Sequence, residues 1–423
     1  MKKSEILICL YAYHPFSNSN TNVMLPLIEK LCDTYHVSIL TENNNNKEPN
    51  YEMGDDISVY RYHRQNRLIR FLHTLDAIDN KKDRGLTKNS LIAVMHPIAS
   101  WLHRFDIFKH SEYKLLKDLI RKNDYICILS TCARFLSHLN VLQLKKEVGF
   151  SIPWIAYFMD PYAYFIGNLG GSDKLIEQER EVYEYSDIVL VTEEIFEENK
   201  TNLLSKYMNK TEATRFANFR CDKKGLTNNI FVKDKINCVY VGSLLNESIR
   251  SPSYLFKIIN LMDDKYVFHI ICNNLTRKNR QLRNTILDKN KKVRWYNNLP
   301  LHECLGIMSK ADILINLGNK SINQTPSKIF DYIGTGRPIV NFYSLYNDTS
   351  KRYLERYPKK LNLLEMDNLL VENKEKFEKF AFNESGQFIQ IEDVKQLYGE
   401  YLSEKVTADT LRIINKVIGG ELI

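Results

Sequence analysis

Short apolar runs alternate along the chain with longer stretches in which apolar residues return every three or four positions. The first run, residues 6–11, precedes a helical pattern through Met24, Leu27, Ile28 and Leu31, and a second run follows at 36–41. The asparagine tract 43–46 reads as a turn or loop, and 57–62 as a further strand. After an interruption, strands resume at 125–130, 154–158, 188–192 and 214–217. The second half repeats the scheme with 238–241, 267–272, 293–295, 313–317 and 338–342, again with helical patterns between them. Such alternation predicts an α/β chain whose parallel sheet is covered on both faces.

One echo divides the pattern in two. Tyr185-Ser186-Asp187-Ile188-Val189-Leu190 is matched by Lys310-Ala311-Asp312-Ile313-Leu314-Ile315. In each, a helix ends at an acidic residue and a strand begins, which fits two doubly wound units better than one long sheet. Both periodicities fade in a polar, glycine-containing segment. The expected division is a first domain at 1–218, a linker at 219–235 and a second domain at 236–391. Residues 392–423, through Val394, Leu397, Tyr398, Tyr401 and Leu402, read as an amphipathic helix packing back on the first domain.

Composition narrows the class. At 44% hydrophobic and 26% charged residues, this is a soluble globular chain and not a disordered one. No run approaches the ~18 apolar residues of a membrane span, and the run after Met1-Lys2-Lys3 is too short for a signal-peptide core. The expected location is cytoplasmic. The eight cysteines show no Cys-x-x-Cys spacing and read as reduced thiols, excluding a structural zinc site or disulfide framework. The net charge of +8 is local: residues 61–122 hold fourteen Lys and Arg against six Asp and Glu, an excess equal to that of the whole chain. With Leu91, Ile92, Val94, Met95, Ile98, Trp101 and Leu102 interleaved, this insertion reads either as a solvated helical segment or as a patch for an anionic membrane surface. No nucleic-acid recognition motif accompanies it, so nucleic acid is not an expected partner.

The most informative segment runs from Asn323 to Val340. Thr325 reads as an N-cap and Pro326 as the first helical residue, with Gly334 and Gly336 ending the helix and Pro338 launching the next strand. Free N–H groups of Ser327 and Lys328 at a helix start that follows a strand make an anion site, and Lys328 adds a full charge. Ser327 and Asp331 share a helix face ~5–6 Å apart. A phosphate at the helix start would place an attached ribose beside the Asp331 carboxylate.

The string Pro-Ser-Lys-Ile-Phe-Asp-Tyr-Ile-Gly-Thr-Gly-Arg-Pro-Ile-Val resembles the donor-binding helix of GT-B glycosyltransferases, and most of all the family 4 type of bacterial surface-polysaccharide synthesis. The resemblance implies two Rossmann-like domains facing each other across a cleft, with the nucleotide-sugar held by the second. It assigns ribose binding to Asp331, where the family more often has Glu. It places the neutral Asn323 where the family has an acid that contacts the donor sugar. Val239-Tyr240-Val241-Gly242-Ser243 is similar to the opening strand and glycine turn of the second domain, and Arg250 to the family's basic residue on the diphosphate. The segment 293–300 resembles the part flanking the nucleobase, with Asn297 in place of a glycine.

In the first half, Trp154-Ile155-Ala156-Tyr157-Phe158-Met159-Asp160-Pro161 reads as a strand ending in an acid. Ligands of open α/β sheets bind outside the carboxyl ends of strands, which places Asp160 toward the cleft as a base or orienting group, or else as a turn cap. His138 and the residues Ser19 and Asn20, the latter two in a loop at 15–20 where relatives commonly have a Gly-Gly turn, are acceptor-side candidates. His14 is a weaker one. A lone histidine such as His138 is more often structural or exposed than catalytic. No Asp-x-Asp occurs, so no metal is expected, and the diphosphate charge falls to Arg250, Lys328 and the helix dipole. Dinucleotide, P-loop and α/β-hydrolase motifs are also missing. The expected activity is metal-independent, retaining transfer of a sugar to a lipid-linked or saccharide acceptor. The alternatives are a nucleotide-sugar epimerase on the same fold and a non-catalytic nucleotide-sugar-binding protein.

Overall fold

The computed structural model describes residues 3–14, 19–43, 48–63, 109–131, 135–163, 173–215, 219, 230–244, 250–272, 281, 283–284, 290–297, 299–320 and 325–420. Most of the basic insertion, 64–108, and Asn323 lie outside the described residues. The chain divides into two compact units, Met1–Arg215 with Thr407–Ile423, and Phe216–Val406.

The first unit is built on β1 (Glu5–Cys9), β2 (His36–Glu42), β3 (Tyr51–Met53), β4 (Ile57–Tyr62), β5 (Tyr125–Thr131), β6 (Trp154–Phe158), β7 (Ile188–Thr192) and β8 (Thr211–Thr214). Their order is β3-β4-β2-β1-β5-β6-β7-β8, parallel throughout except for β3. The strands that sequence patterning misplaces or misses are edges: β8 and β3 here, and Lys360–Leu364 at the edge of the second sheet. β8 lies three residues before the apolar run that suggested it, and the exposed β3 has no apolar pattern to see. Edge strands bury little, so their sequence is weakly constrained.

The second unit holds β9 (Ile236–Val241), β10 (Tyr266–Ile271), β11 (Val293–Tyr296), β12 (Ile313–Leu317), β13 (Ile339–Tyr343) and β14 (Lys360–Leu364) in the order β11-β10-β9-β12-β13-β14. All its pairs are parallel. Cys238, Phe268, Ile313 and Ile315 pack under Leu255, Ile258 and Ile259 of the helix Ser253–Leu261 and under Phe377 of the helix Leu370–Glu384. Full burial of each such side chain is worth ~1.5–3 kcal/mol. On the sheet, Asn316, Asn341 and Asn362 stand side by side in register. The Asn316 amide donates to the Asn341 carbonyl oxygen at 2.7 Å, and the Asn341 amide to that of Asn362 at 2.9 Å. A slip of one residue would break both bonds and move the asparagine amides onto the opposite face, among apolar neighbours.

The echo between halves is a physical device. Asp187, after the helix Asp173–Tyr185, donates its N–H to the Trp154 carbonyl (2.9 Å) and accepts the Trp154 N–H on its carboxylate (2.8 Å). Asp312, after the helix Leu301–Lys310, does the same with Asn237, at 3.1 and 2.8 Å. In both units an aspartate closes the first rung between the strand it precedes and that strand's neighbour.

The C-terminal segment is not one helix. A helix Ile391–Leu397 and a single 3₁₀ turn, Gly399–Tyr401, precede a second helix, Ser403–Ile418. Tyr398 makes the break: its ring is fully buried and its hydroxyl donates to the Tyr353 carbonyl at 2.8 Å, within the second unit. From Thr407 onward the last helix belongs to the first unit, where Thr410 meets Thr214 and Asn415 accepts from the Tyr35 hydroxyl. Phe219, expected to open a linker, is buried, stacks on Tyr398 and bridges to Leu402. Among the described residues no helix is long and apolar enough to cross a membrane.

Candidate functional site

In the second unit the chain winds outward in both directions from β9 and β12, which lie side by side. A crevice at such a reversal, outside the carboxyl ends of the strands, is where open α/β sheets bind ligands. Sequence-derived candidates lie in the turn after β9 and on the helix that follows β12.

β9 ends in Val241 and turns at Gly242, whose N–H still donates to the Ile271 carbonyl of β10 at 3.0 Å. A Cβ on Gly242 would lie 2.9 Å from the Tyr240 hydroxyl and 3.8 Å from an Arg250 guanidinium nitrogen, so a larger residue at this turn would have to displace the Tyr240 hydroxyl. The Tyr240 hydroxyl donates to the Ser243 carbonyl at 3.0 Å. Burial pushes its ionisation up to about 12, against the opposing pull of the Arg250 charge. Arg250 donates from Nε (3.0 Å) and Nη2 (2.6 Å) to the side-chain oxygen of Asn319, two residues past the end of β12, with Nη1 3.4 Å from the Ser243 carbonyl. One guanidinium thus ties the turn after β9 to the segment after β12.

That segment leads into the helix Lys328–Thr335. The helix begins later than the Thr325 cap predicted. Ser327 is its boundary residue, already in helical geometry, and its hydroxyl makes no capping bond. The reason lies in the first turn, which is closed by backbone: the Ile329 N–H donates to the Pro326 carbonyl at 2.9 Å. Thr325 and Pro326 are buried just ahead of it. Lys328 forms an ion pair of 2.8 Å with Asp331, which is itself buried. Tyr332, unremarked in the sequence, fastens the helix to β9. Its hydroxyl accepts the Val241 N–H at 2.8 Å and donates to the Val241 carbonyl at 3.1 Å, and burial drives its ionisation far above the ordinary phenol range. Gly334 lies inside the helix; Gly336 alone ends it, at φ 72°, with the Ile389 carbonyl oxygen 2.3 Å from where a Cβ would stand. The Asn297 side chain accepts from the Trp295 indole at 3.1 Å beyond β11, away from this pair of strand ends.

The first-unit candidates separate. Asp160 stands half-buried past the end of β6. The turn it begins is held from below by Glu179, whose carboxylate accepts the Ala163 N–H at 2.9 Å and a second backbone bond from Tyr162. Burial raises the Glu179 pKa to about 7. His138 is a core residue and not an exposed cleft group. Its ring is fully buried, stacks 4.6 Å from Phe158 and meets the Ser130 hydroxyl at 2.7 Å. Burial lowers its pKa to about 3, so it stays neutral. Ser19 starts the helix Ser19–Cys32, in which Asn20 is buried. His14 is exposed, and its carbonyl accepts from Arg61, a member of the basic stretch that is buried and paired with Glu52 at 2.7 Å.

Sequence reading missed Asn319, Tyr332 and Glu179. Asn319 lies two residues past the end of β12, but its role depends on Arg250, 69 positions away. The other two act through contacts with distant segments that no local pattern announces.

At the level of sequence, no family profile and no curated protein matches the chain. Solved structures do match over nearly its whole length. Sucrose-phosphate synthase from Thermosynechococcus elongatus superposes with a TM-score of 0.68 at 12% identity, covering 99% of this chain and 100% of that one. HepE from Anabaena, in complex with UDP and glucose, gives 0.60 at 8% identity over 98% and 100%. A putative UDP-N-acetylglucosamine 2-epimerase from Listeria monocytogenes gives 0.55 at 12% identity over 98% and 96%. With its two parallel-sheet units and these likenesses, the chain has the GT-B fold.

Proposed function

We propose that the chain is a glycosyltransferase that takes a sugar from a nucleoside-diphosphate sugar and delivers it to a lipid-linked or saccharide acceptor in surface-polysaccharide assembly. The observation that carries the reading is the convergence at the β9 and β12 ends: a glycine turn that admits close approach, a tethered guanidinium and a helix start bearing Lys328 and Asp331. In this reading the diphosphate lies against the Gly242–Ser243 turn and Arg250. Lys328 leaves Asp331 for the phosphate, and the freed carboxylate accepts the ribose hydroxyls. The bond from the sugar's anomeric carbon to the β-phosphate oxygen breaks. Arg250, Lys328 and the helix dipole stabilise the charge that develops on the departing phosphate. For retention without a metal, that phosphate takes the acceptor's proton as the new glycosidic bond forms. For inversion, Asp160 is the base.

The UDP complex of the HepE-like neighbour makes UDP-sugars the first donors to try. The test is a panel of UDP-, GDP- and other nucleotide-sugars, with nucleotide release measured with and without saccharide and lipid acceptors and with EDTA present. Acceptor-dependent release of nucleotide is expected. Interconversion of the free nucleotide-sugar without release would instead establish an epimerase, the reading that the Listeria neighbour favours. Thermal stabilisation by a nucleotide-sugar with no turnover of any kind would leave a binding protein. The membrane role of the basic insertion is tested separately, by sedimentation with anionic liposomes. Binding that survives charge reversal across 61–122 would end that idea.

A further inference from the structure

The two cations at the donor site are held in opposite ways. Lys328 is paired with a carboxylate, and in that pair its charge is cancelled. Arg250 is held by Asn319, a residue only 2% exposed, whose amide oxygen accepts two guanidinium N–H groups at 3.0 and 2.6 Å. An amide oxygen offers the geometry of a carboxylate oxygen without its charge. Resting on the donor reading above, we infer that Asn319 is a positioning residue: it fixes the Arg250 guanidinium beside the Gly242–Ser243 turn and leaves its full positive charge for the second phosphate of a nucleoside diphosphate.

The chemistry makes the role separable from plain structural support. The substitution Asn319→Asp would keep both hydrogen bonds and strengthen them, since charge-assisted bonds are the stronger kind. A merely structural residue would therefore tolerate Asn319→Asp or gain stability from it. A residue whose use is to hold a cation without neutralising it would not. Asn319→Ala does the reverse, keeping the charge and losing the geometry.

The experiment measures, by calorimetric titration of the full chain, the affinities of UDP, GDP and ADP and of their monophosphates. The readout is the preference for diphosphate over monophosphate, with thermal melting followed in parallel. Asn319→Asp is expected to reduce that preference about tenfold or more, with monophosphate affinity and melting temperature held. Asn319→Ala is expected to reduce it by a few-fold. A preference unchanged in Asn319→Asp overturns the inference while leaving the donor reading intact. A wild-type protein that binds diphosphates no better than monophosphates overturns the inference as well. Failure to bind any of the six nucleotides overturns the donor reading and the inference together. Should Asn319→Asp fail to fold, a double-mutant cycle of Asn319→Ala with Arg250→Gln decides. The double variant is expected to match Arg250→Gln alone, and additive losses would overturn the positioning role.

Discussion

The carboxyl ends of the two sheets make a contrast. In the second unit, the edge at β9 and β12 presents half-buried cations on short tethers, Arg250 on Asn319 and Lys328 on Asp331. In the first unit, polar groups beside the strand ends are drawn inward, where burial disfavours their charged forms: His138 with its pKa near 3, and Glu112 and Glu179 with theirs raised to about 7. Glu112, from the helix Lys109–Lys122, is packed among Ser137, Tyr62 and Asn140, with Glu42 adding to its upward shift. One edge keeps charge available for an anion. The other spends protons to keep charge out of its interior. Among the described residues the second unit also has carboxyls whose pKa values burial raises, Glu365 past β14 and Asp348 past β13, but Lys320 opposes the Glu365 shift, and β14 lies three strands away from β9.

The sharpest test of that contrast is kinetic. Arg250→Ala should lower kcat/KM by about 10²–10³-fold, the usual cost of losing one preorganised donor to developing charge. Asp160→Asn should cost less than about tenfold if the departing phosphate acts as base. Equal losses in the two variants would make Asp160 a general base and the transfer an inverting one.

Next in size is the pH dependence of stability. Glu112 and Glu179 keep their protons in the folded unit up to about pH 7, whereas the unfolded chain releases them near 4.5. Unfolding therefore gains on folding as pH rises through that window, by about 3 kcal/mol for each group. Denaturant titrations should show stability falling from pH 5 to pH 8. In Glu112→Gln the fall should be shallower by roughly that amount. A fall in Glu112→Gln as steep as in the wild type would mean that Glu112 is not held protonated, whatever the buried His138 contributes with the opposite sign below its unfolded pKa.

Two structural variants follow. Gly336→Ala puts a Cβ into the left-handed region and against the Ile389 carbonyl oxygen. It should cost about 2–3 kcal/mol in urea unfolding. Tyr332→Phe leaves the Val241 N–H and carbonyl without their partner and should cost about 1–3 kcal/mol. Its weaker attachment of the donor helix should also raise the KM for the donor, while a first-unit change such as Glu179→Gln leaves that constant alone.

Much of this molecule was legible in its residues. The central strands were read nearly to the residue because each must be apolar to be buried on both faces, as at 188–192 and 313–317. The helix Lys328–Thr335 was legible because its chemistry is local: a proline, a lysine, an aspartate and a closing glycine within eleven positions, 326–336. The shared aspartate of the echo was visible too, although not its purpose. Tertiary structure decided what depends on distant partners. His138 lost its place as a cleft residue because Phe158 and Ser130 enclose it. The C-terminal helix broke where Tyr398 found a pocket and a carbonyl 45 residues away. Asn319 acquired meaning only when winding brought Arg250, 69 positions earlier in the chain, onto its amide oxygen. Periodicity reports which face of an element is buried. Which side chain waits on the other side of that burial is settled only by the fold, because it is strand order and not sequence distance that sets the neighbours.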